Sequence, residues 1–151
     1  MVASIRDSNV SDARVSSSLS VDTTKASGLF ERAYFLKNVR RDYDRAEAMY
    51  ERAIAADPNH ANNLGNYALF LKNIRHDYDR AEAMYKRAIA ADPNHANSIG
   101  NYAILLYSVR RDYDRAEAVF DRAITADPSH ANNLGNYAWF LEEIRHDFYH
   151  A

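Results

Sequence analysis

One feature constrains this chain more than any other: the sequence repeats itself every 35 residues. Asp42, Asp77, Asp112 and Asp147 each open a D-Y or D-F segment, and Pro58, Pro93 and Pro128 keep the same step, as do Gly65, Gly100 and Gly135. Most positions are identical from one unit to the next, more than a shared fold requires, which points to recent duplication. A unit this short cannot bury an apolar face alone, so neighbouring units must bury it for each other.

Each unit holds two helical stripes. Leu64, Tyr67, Ala68 and Leu71 fall at i, i+3, i+4 and i+7, and Ala46, Met49, Tyr50 and Ala53 repeat that spacing. Between them lies R-H-D-Y-D or R-R-D-Y-D, enough only for a tight corner. Asp44 with Glu47 three residues on has the capping-box pattern, and Asp42 is the alternative cap. The second helix stops at D-P-N-H, because proline lacks the amide hydrogen a continuing helix needs. Asn59 or His60 then caps the next helix. The spacing predicts seven helices, over about 28–40, 43–56, 60–75, 78–91, 95–110, 113–126 and 130–145. The last, with Trp139, Phe140 and Leu141, has no partner, although Asp147 and Ala151 are in register with Asp112 and Ala116.

These columns resemble the tetratricopeptide repeat family. Leu64, Tyr67 and Ala68 match the large, large and small positions of its first helix, and Ala81, Tyr85, Ala88 and Pro93 match its second helix and the following turn. The resemblance covers about residues 27 to 151. It implies an all-α fold, a right-handed α-solenoid of stacked antiparallel hairpins, with three full repeats plus an unpaired last helix. The units are 27–57, 58–92, 93–127 and the partial 128–151, preceded by a Ser-rich arm over 1–26 that is either flexible or docks on another copy. Two departures stand out. The period exceeds the family's usual 34, with the extra residue placed at the corner near His76, and Arg or His replaces the glycine usual before D-Y.

Composition narrows function. With 19 Lys+Arg against 21 Asp+Glu, the chain lacks the basic excess of a nucleic-acid binder. It has no cysteine, which does not fix the compartment; with no apolar run of membrane-spanning length and no signal-peptide pattern evident, the compartment is unknown and cytoplasmic only by default. No nucleophile–base–orienter set or phosphate loop appears, so catalysis and cofactors are not expected. Tyr67 and its copies lie on the apolar stripe and read as core. His60, His95 and His130 fall about 10 Å apart if repeats stack at helix-packing distance, too far for one zinc, and read as turn caps. The pairs Arg40–Arg41, Arg75–His76, Arg110–Arg111 and Arg145–His146 read as a solvated edge neutralised by nearby aspartates. Asn9-Val10-Ser11 fits the common N-glycosylation pattern.

The resemblance implies a protein or extended peptide as partner, held in a concave groove lined by the first helices. It places Asn66, Asn101 and Asn136 there, with Asn62, Asn97 and Asn132 one turn earlier. Asparagine offers both donor and acceptor to a peptide backbone. Gly65, Gly100 and Gly135 would let that backbone approach. Tyr34, Leu69, Ile104 and Trp139 form a varying column suited to selectivity. The alternative is that these asparagines merely solvate an open surface. The family's clamp for acidic C-termini is missing, since its first Lys falls on Phe30 or glycine and its Arg on Asn136. A second class of function is head-to-tail assembly into a homo-oligomer or filament, through Leu29 and Phe30 at one end and Trp139, Phe140, Ile144 and Phe148 at the other. A third is that the chain is part of a longer array whose effector domain lies elsewhere.

Overall fold

The computed structural model describes residues 21–146, so most of the Ser-rich arm, Asn9, Asp147, Phe148 and Ala151 lie outside it. The described residues are helical: α1 (Val21–Phe35), α2 (Tyr43–Ala56), α3 (Ala61–Phe70), α4 (Tyr78–Ala91), α5 (Ala96–Leu105), α6 (Tyr113–Ala126) and α7 (Ala131–Trp139). They divide into two compact units, one ending at Pro58 and one beginning at Asn59. The first unit is the hairpin α1–α2. The second stacks the hairpins α3–α4 and α5–α6, followed by α7. Helix α1 begins at Val21, earlier than the expected start near Ser27, and position 23 holds Thr where the later units have proline.

Every first helix ends in a π turn: Leu36–Arg40, Leu71–Arg75, Leu106–Arg110 and Phe140–Arg145. In the first three, the next residue is left-handed, with φ of 53 at Arg41, 55 at His76 and 58 at Arg111. Its N–H reaches back five residues to Leu36, Leu71 or Leu106. The following aspartate N–H bonds the same carbonyl at 3.0 Å. An α-helical ending would close that ring one residue earlier. The extra residue of the period therefore sits inside the last turn of the first helix, just ahead of His76. The left-handed residue then reverses the chain.

The corner is sealed by Asp42, Asp77 and Asp112. Their side chains accept from the backbone N–H of Arg45, Arg80 and Arg115 at 3.3, 3.2 and 3.2 Å. Asp42 rather than Asp44 is thus the cap, which leaves the Asp44 column on the first turn of the helix. At the other corner His60, not Asn59, caps α3, its Nδ1 accepting from Asn63 N–H at 3.4 Å, and His130 does the same for Asn133 at 3.3 Å.

The core follows the two stripes. Ala81, Tyr85 and Ala88 of α4 and Ala116, Phe120 and Ala123 of α6 are fully buried, as are Leu64, Ala68 and Leu71 opposite them. Tyr67 and Tyr102 are core, and each hydroxyl accepts from an arginine, Arg80 and Arg115 respectively. Tyr85 differs: its buried hydroxyl has no partner among the described residues. A buried unpaired hydroxyl costs about 1–3 kcal/mol. Tyr85→Phe is therefore expected to raise the unfolding free energy by about 1 kcal/mol in urea titration. The third repeat already carries Phe120 at this position. A measured loss of stability would mean that the hydroxyl finds a partner.

Candidate functional site

In the second unit, α3, α5 and α7 lie side by side; two contacts join each to the next, and a third ties the C-terminal stretch of α5 and of α7 to the second helix of the preceding repeat, α4 or α6. At the N-terminal end, His95 Nε2 meets Asn62 Oδ1 at 2.6 Å and His130 Nε2 meets Asn97 Oδ1 at 2.7 Å. Because the other ring nitrogen accepts, from Ser98 Oγ or from Asn133 N–H, Nε2 carries the proton and donates. In the middle, a small polar side chain fills the space above a glycine. A Cβ on Gly65 would overlap Ser98 Oγ, and one on Gly100 would overlap Asn133 Oδ1 and stand 2.7 Å from its Cγ. Asn133 is buried and donates to Ala96 O at 2.9 Å. At the C-terminal end, Arg110 grips Asp79 at 2.5 Å and Glu82 at 3.0 Å, and Arg145 grips Asp114 at 2.6 Å and Glu117 at 2.7 Å.

These contacts correct two expectations. Asn62 and Asn97, both exposed, give their side-chain oxygens to the joints between repeats, so those oxygens do not serve a peptide. Gly65 and Gly100 admit the next repeat's side chain rather than a ligand backbone. Arg110, which is exposed, and Arg145 pair with Asp79 and Asp114, the neutralising aspartates expected of that edge, and also with Glu82 and Glu117, which the sequence reading did not name. Burial pushes the Glu82 carboxyl up, but hydrogen bonds from Lys86, Tyr102 and Arg110 outweigh it and hold the group below its usual range.

What remains for a ligand is a narrower surface. Asn66, Asn101 and Asn136 are half-exposed at equal register on α3, α5 and α7. Asn66 donates Nδ2 to Asn62 O of its own helix at 2.8 Å, leaving its oxygen as acceptor. Leu69 and Ile104 are half-exposed, and Trp139 is 47% exposed. Asn132 is exposed. Tyr34, in the first unit, is exposed, with Lys37 Nζ 5.3 Å from its ring centre.

Two residues of this surface escaped the sequence reading. Lys72 lies three residues beyond Leu69 on the same helix, and burial holds its pKa below the usual lysine value. Its counterpart one repeat later, Tyr107, packs on Trp139 with ring centres 5.7 Å apart. The signal was available: positions 37, 72, 107 and 142 hold Lys, Lys, Tyr and Glu, a column that breaks an otherwise copied pattern.

Of the self-assembly candidates, Phe140 is fully buried among Tyr107, Phe120 and Tyr137, so it presents no surface. Its copies Phe70 and Leu105 in the second unit are buried as well, so the column faces inward there. Leu29 and Phe30 are half-buried, Phe30 edge-on to Tyr50 at 5.9 Å, and Ile144 is half-buried. Phe148 lies outside the described residues.

The His95 joint gives the stack a pH dependence. Burial is the main cause that holds His95 below its ordinary pKa; Asp92 opposes it and His60 adds to it. The folded state therefore binds the proton more weakly than the unfolded chain, whose histidine titrates near about 6.5. This contribution to stability is complete above that value and is lost as pH falls toward the folded pKa. Urea midpoints are expected to drop between about pH 7 and pH 5, and His95→Gln to flatten part of that slope. An unchanged slope in the variant would assign the effect elsewhere.

Among the described residues no group of His, Asp and Glu could hold a metal ion, and no helix is long and apolar enough to cross a membrane. Comparison with known proteins extends the picture. The family described as the cilia and flagella-associated protein 70 middle TPR-like domain matches residues 23–145. The first TPR of Spaghetti (RPAP3), solved bound to an HSP90 peptide, superimposes with a TM-score of 0.72 at 18% identity, covering 83% of this chain and 99% of that one. The second TPR domain of human RPAP3, solved with an HSP70 peptide, gives 0.66 at 22% identity over 78% and 95%. The Arabidopsis OM64 TPR domain gives 0.67 at 18% over 82% and 99%. A search of curated protein sequences finds no match.

Proposed function

The chain belongs to the cilia and flagella-associated protein 70 middle TPR-like family, and from that premise we propose that it is a non-catalytic module holding an extended peptide of a partner protein along α3, α5 and α7. The observation that carries this reading is the column Asn66, Asn101 and Asn136, half-exposed at equal register, while the joints between repeats take the side-chain oxygens of Asn62 and Asn97. Helices packed about 10 Å apart present one asparagine for every three residues or so of extended chain. Asn66 supplies an acceptor, and Asn101 and Asn136 supply both donor and acceptor.

Lys72 and the Tyr107–Trp139 pair refine the ligand. A partly desolvated lysine gains from a carboxylate, and an exposed tryptophan backed by a tyrosine gains from an apolar side chain. Tyr107 lies one repeat step from Lys72 and Trp139 nearly two, about 10–20 Å, or about three to six residues of extended peptide. The ligand class is thus a peptide with an acidic residue and an apolar one about three to six positions apart. Two structural neighbours are solved with bound chaperone peptides, which supports a peptide as the class of ligand.

The test is a panel of synthetic peptides with that spacing, titrated against the fluorescence of Trp139, the single tryptophan. Asn66→Ala, Asn101→Ala and Asn136→Ala combined are expected to weaken binding at least about tenfold while circular dichroism stays unchanged. Unaltered affinity would sink the reading. Head-to-tail assembly fares worse. Lys25 and Gly28 stand where later repeats have the histidine and small polar residue of the joint, so α1 lacks the groups that would seat it on Asn132 and Gly135.

A further inference from the structure

The second helices α2, α4 and α6 copy one another except at four columns: Met49/Met84/Val119, Tyr50/Tyr85/Phe120, Glu51/Lys86/Asp121 and Ala55/Ala90/Thr125. Three of these columns meet at one place in the second unit. Lys86 and Ala90 of α4 and Val119 of α6 line a groove of about 420 Å³ between the two helices, with Tyr102 of α5, 6% exposed, at its base. That volume falls within the about 300–1,000 Å³ of ligand pockets. Ile89 and Val119 make the walls apolar, while Lys86 and Arg122 bring two cations and the lining holds no carboxylate.

The valine also decides where Arg122 points. In the earlier repeats the equivalent arginine donates to a methionine sulfur three residues back, Arg52 Nη1 to Met49 Sδ at 3.8 Å and Arg87 Nη1 to Met84 Sδ at 3.7 Å. Val119 offers no acceptor, and Arg122 Nη2 reaches the backbone of the preceding repeat instead, Pro93 O at a long 3.4 Å. Asp121, its neighbour in sequence, accepts from Tyr137 at 2.8 Å. Lys86 Nζ stands 2.9 Å from Glu82 Oε1. Glu82 also accepts from Tyr102 and Arg110, so Lys86 can turn to a ligand without leaving that carboxylate alone.

We propose that this groove binds an extended acidic segment of a partner protein, with an apolar side chain against Tyr102 and one carboxylate each on Lys86 and Arg122. The charges are complementary, and the cations stand on neighbouring helices, one on each side of the apolar floor. Alternate residues of an extended chain face one way, so the pattern is acid-x-apolar-x-acid. Its two acidic residues lie about 13 Å apart, enough to straddle helices about 10 Å apart. This inference does not depend on the asparagine column.

The experiment titrates the full chain with the synthetic peptide GESISEG, blocked at both ends, and follows the backbone amides by NMR. Saturating shifts are expected at Lys86, Ala90, Val119 and Arg122, with half-saturation below about 1 mM. Lys86→Glu and Val119→Met each install the residue that the first repeat already carries at that column, and circular dichroism checks that helix content is kept. Each should weaken binding at least about tenfold, the first by reversing a charge, the second by filling the groove and recapturing Arg122. The peptide GESSSEG, which lacks the apolar side chain, should lose about as much. The triple asparagine variant should bind GESISEG normally, which separates this site from the surface along α3, α5 and α7. Half-saturation above about 1 mM, or unchanged affinity in either groove variant, would overturn the proposal. So would sodium octanoate saturating the same amides where the peptide does not, because the groove would then serve a small carboxylate.

Discussion

Phe120→Ala is expected to lower the unfolding free energy by about 3–5 kcal/mol, a large share of the about 5–15 kcal/mol available to a domain. Phe120 is fully buried, and three rings surround it: Tyr137 at 5.2 Å, nearly parallel, Phe140 at 5.5 Å and Tyr107 at 6.2 Å. Removing the ring opens a cavity that α7 cannot close by collapsing, because Arg145 is tied to Asp114 and Glu117 and His130 to Asn97. The loss should be local at first. In a stack where each unit contacts only its neighbours, a weakened joint frays before the rest unfolds. Trp139 fluorescence should therefore report unfolding at lower urea than circular dichroism does. Coincident transitions with a loss under about 1 kcal/mol would show that the aromatic cluster is not what holds α7.

The three repeated glycines are expected to respond differently to the same change. Gly100→Ala should cost about 1–3 kcal/mol, because the new Cβ displaces the buried Asn133 amide from its bond to Ala96 O. Gly65→Ala should cost less, since Ser98 has only one hydroxyl to rotate aside. Gly135→Ala should stabilise by about 0.5–1 kcal/mol, because alanine favours the helix and none of the described residues occupies the space. Urea midpoints in the order Gly135→Ala, unsubstituted, Gly65→Ala, Gly100→Ala would show that each glycine is a socket for the following repeat. Equal shifts in all three would reduce the effect to helix propensity.

Much of this organisation was legible in the residues. The period, the apolar stripes and the proline stops placed the helices α2 to α7 within a residue or two and assigned Tyr67 and Tyr85 to the core, because such periodicity reports which face must leave water. The resemblance to tetratricopeptide repeats, carried by Leu64, Ala68, Ala81, Tyr85 and Pro93, gave the hairpin arrangement. The site was harder to read. Asn62 and Asn66 are the same residue type on the same helix, one turn apart, yet Asn62 gives its side-chain oxygen to His95 and Asn66 does not. A single sequence gives them equal claims, since the histidine that decides between them lies 33 positions away.

By itself, the sequence determined that this chain is a series of helix pairs with a 35-residue step, because hydrophobic spacing and proline act within a few residues of where they stand. Only the tertiary structure decided how the 35th residue is absorbed, which way Phe140 faces and which glycine is filled. Those outcomes depend on a π turn and on side chains from the adjacent repeat. Duplicated residues acquire different roles when their neighbours differ: Gly100 has Asn133 above it and Gly135 has none of the described residues, although each sits in the same L/I-G-N-Y-A motif.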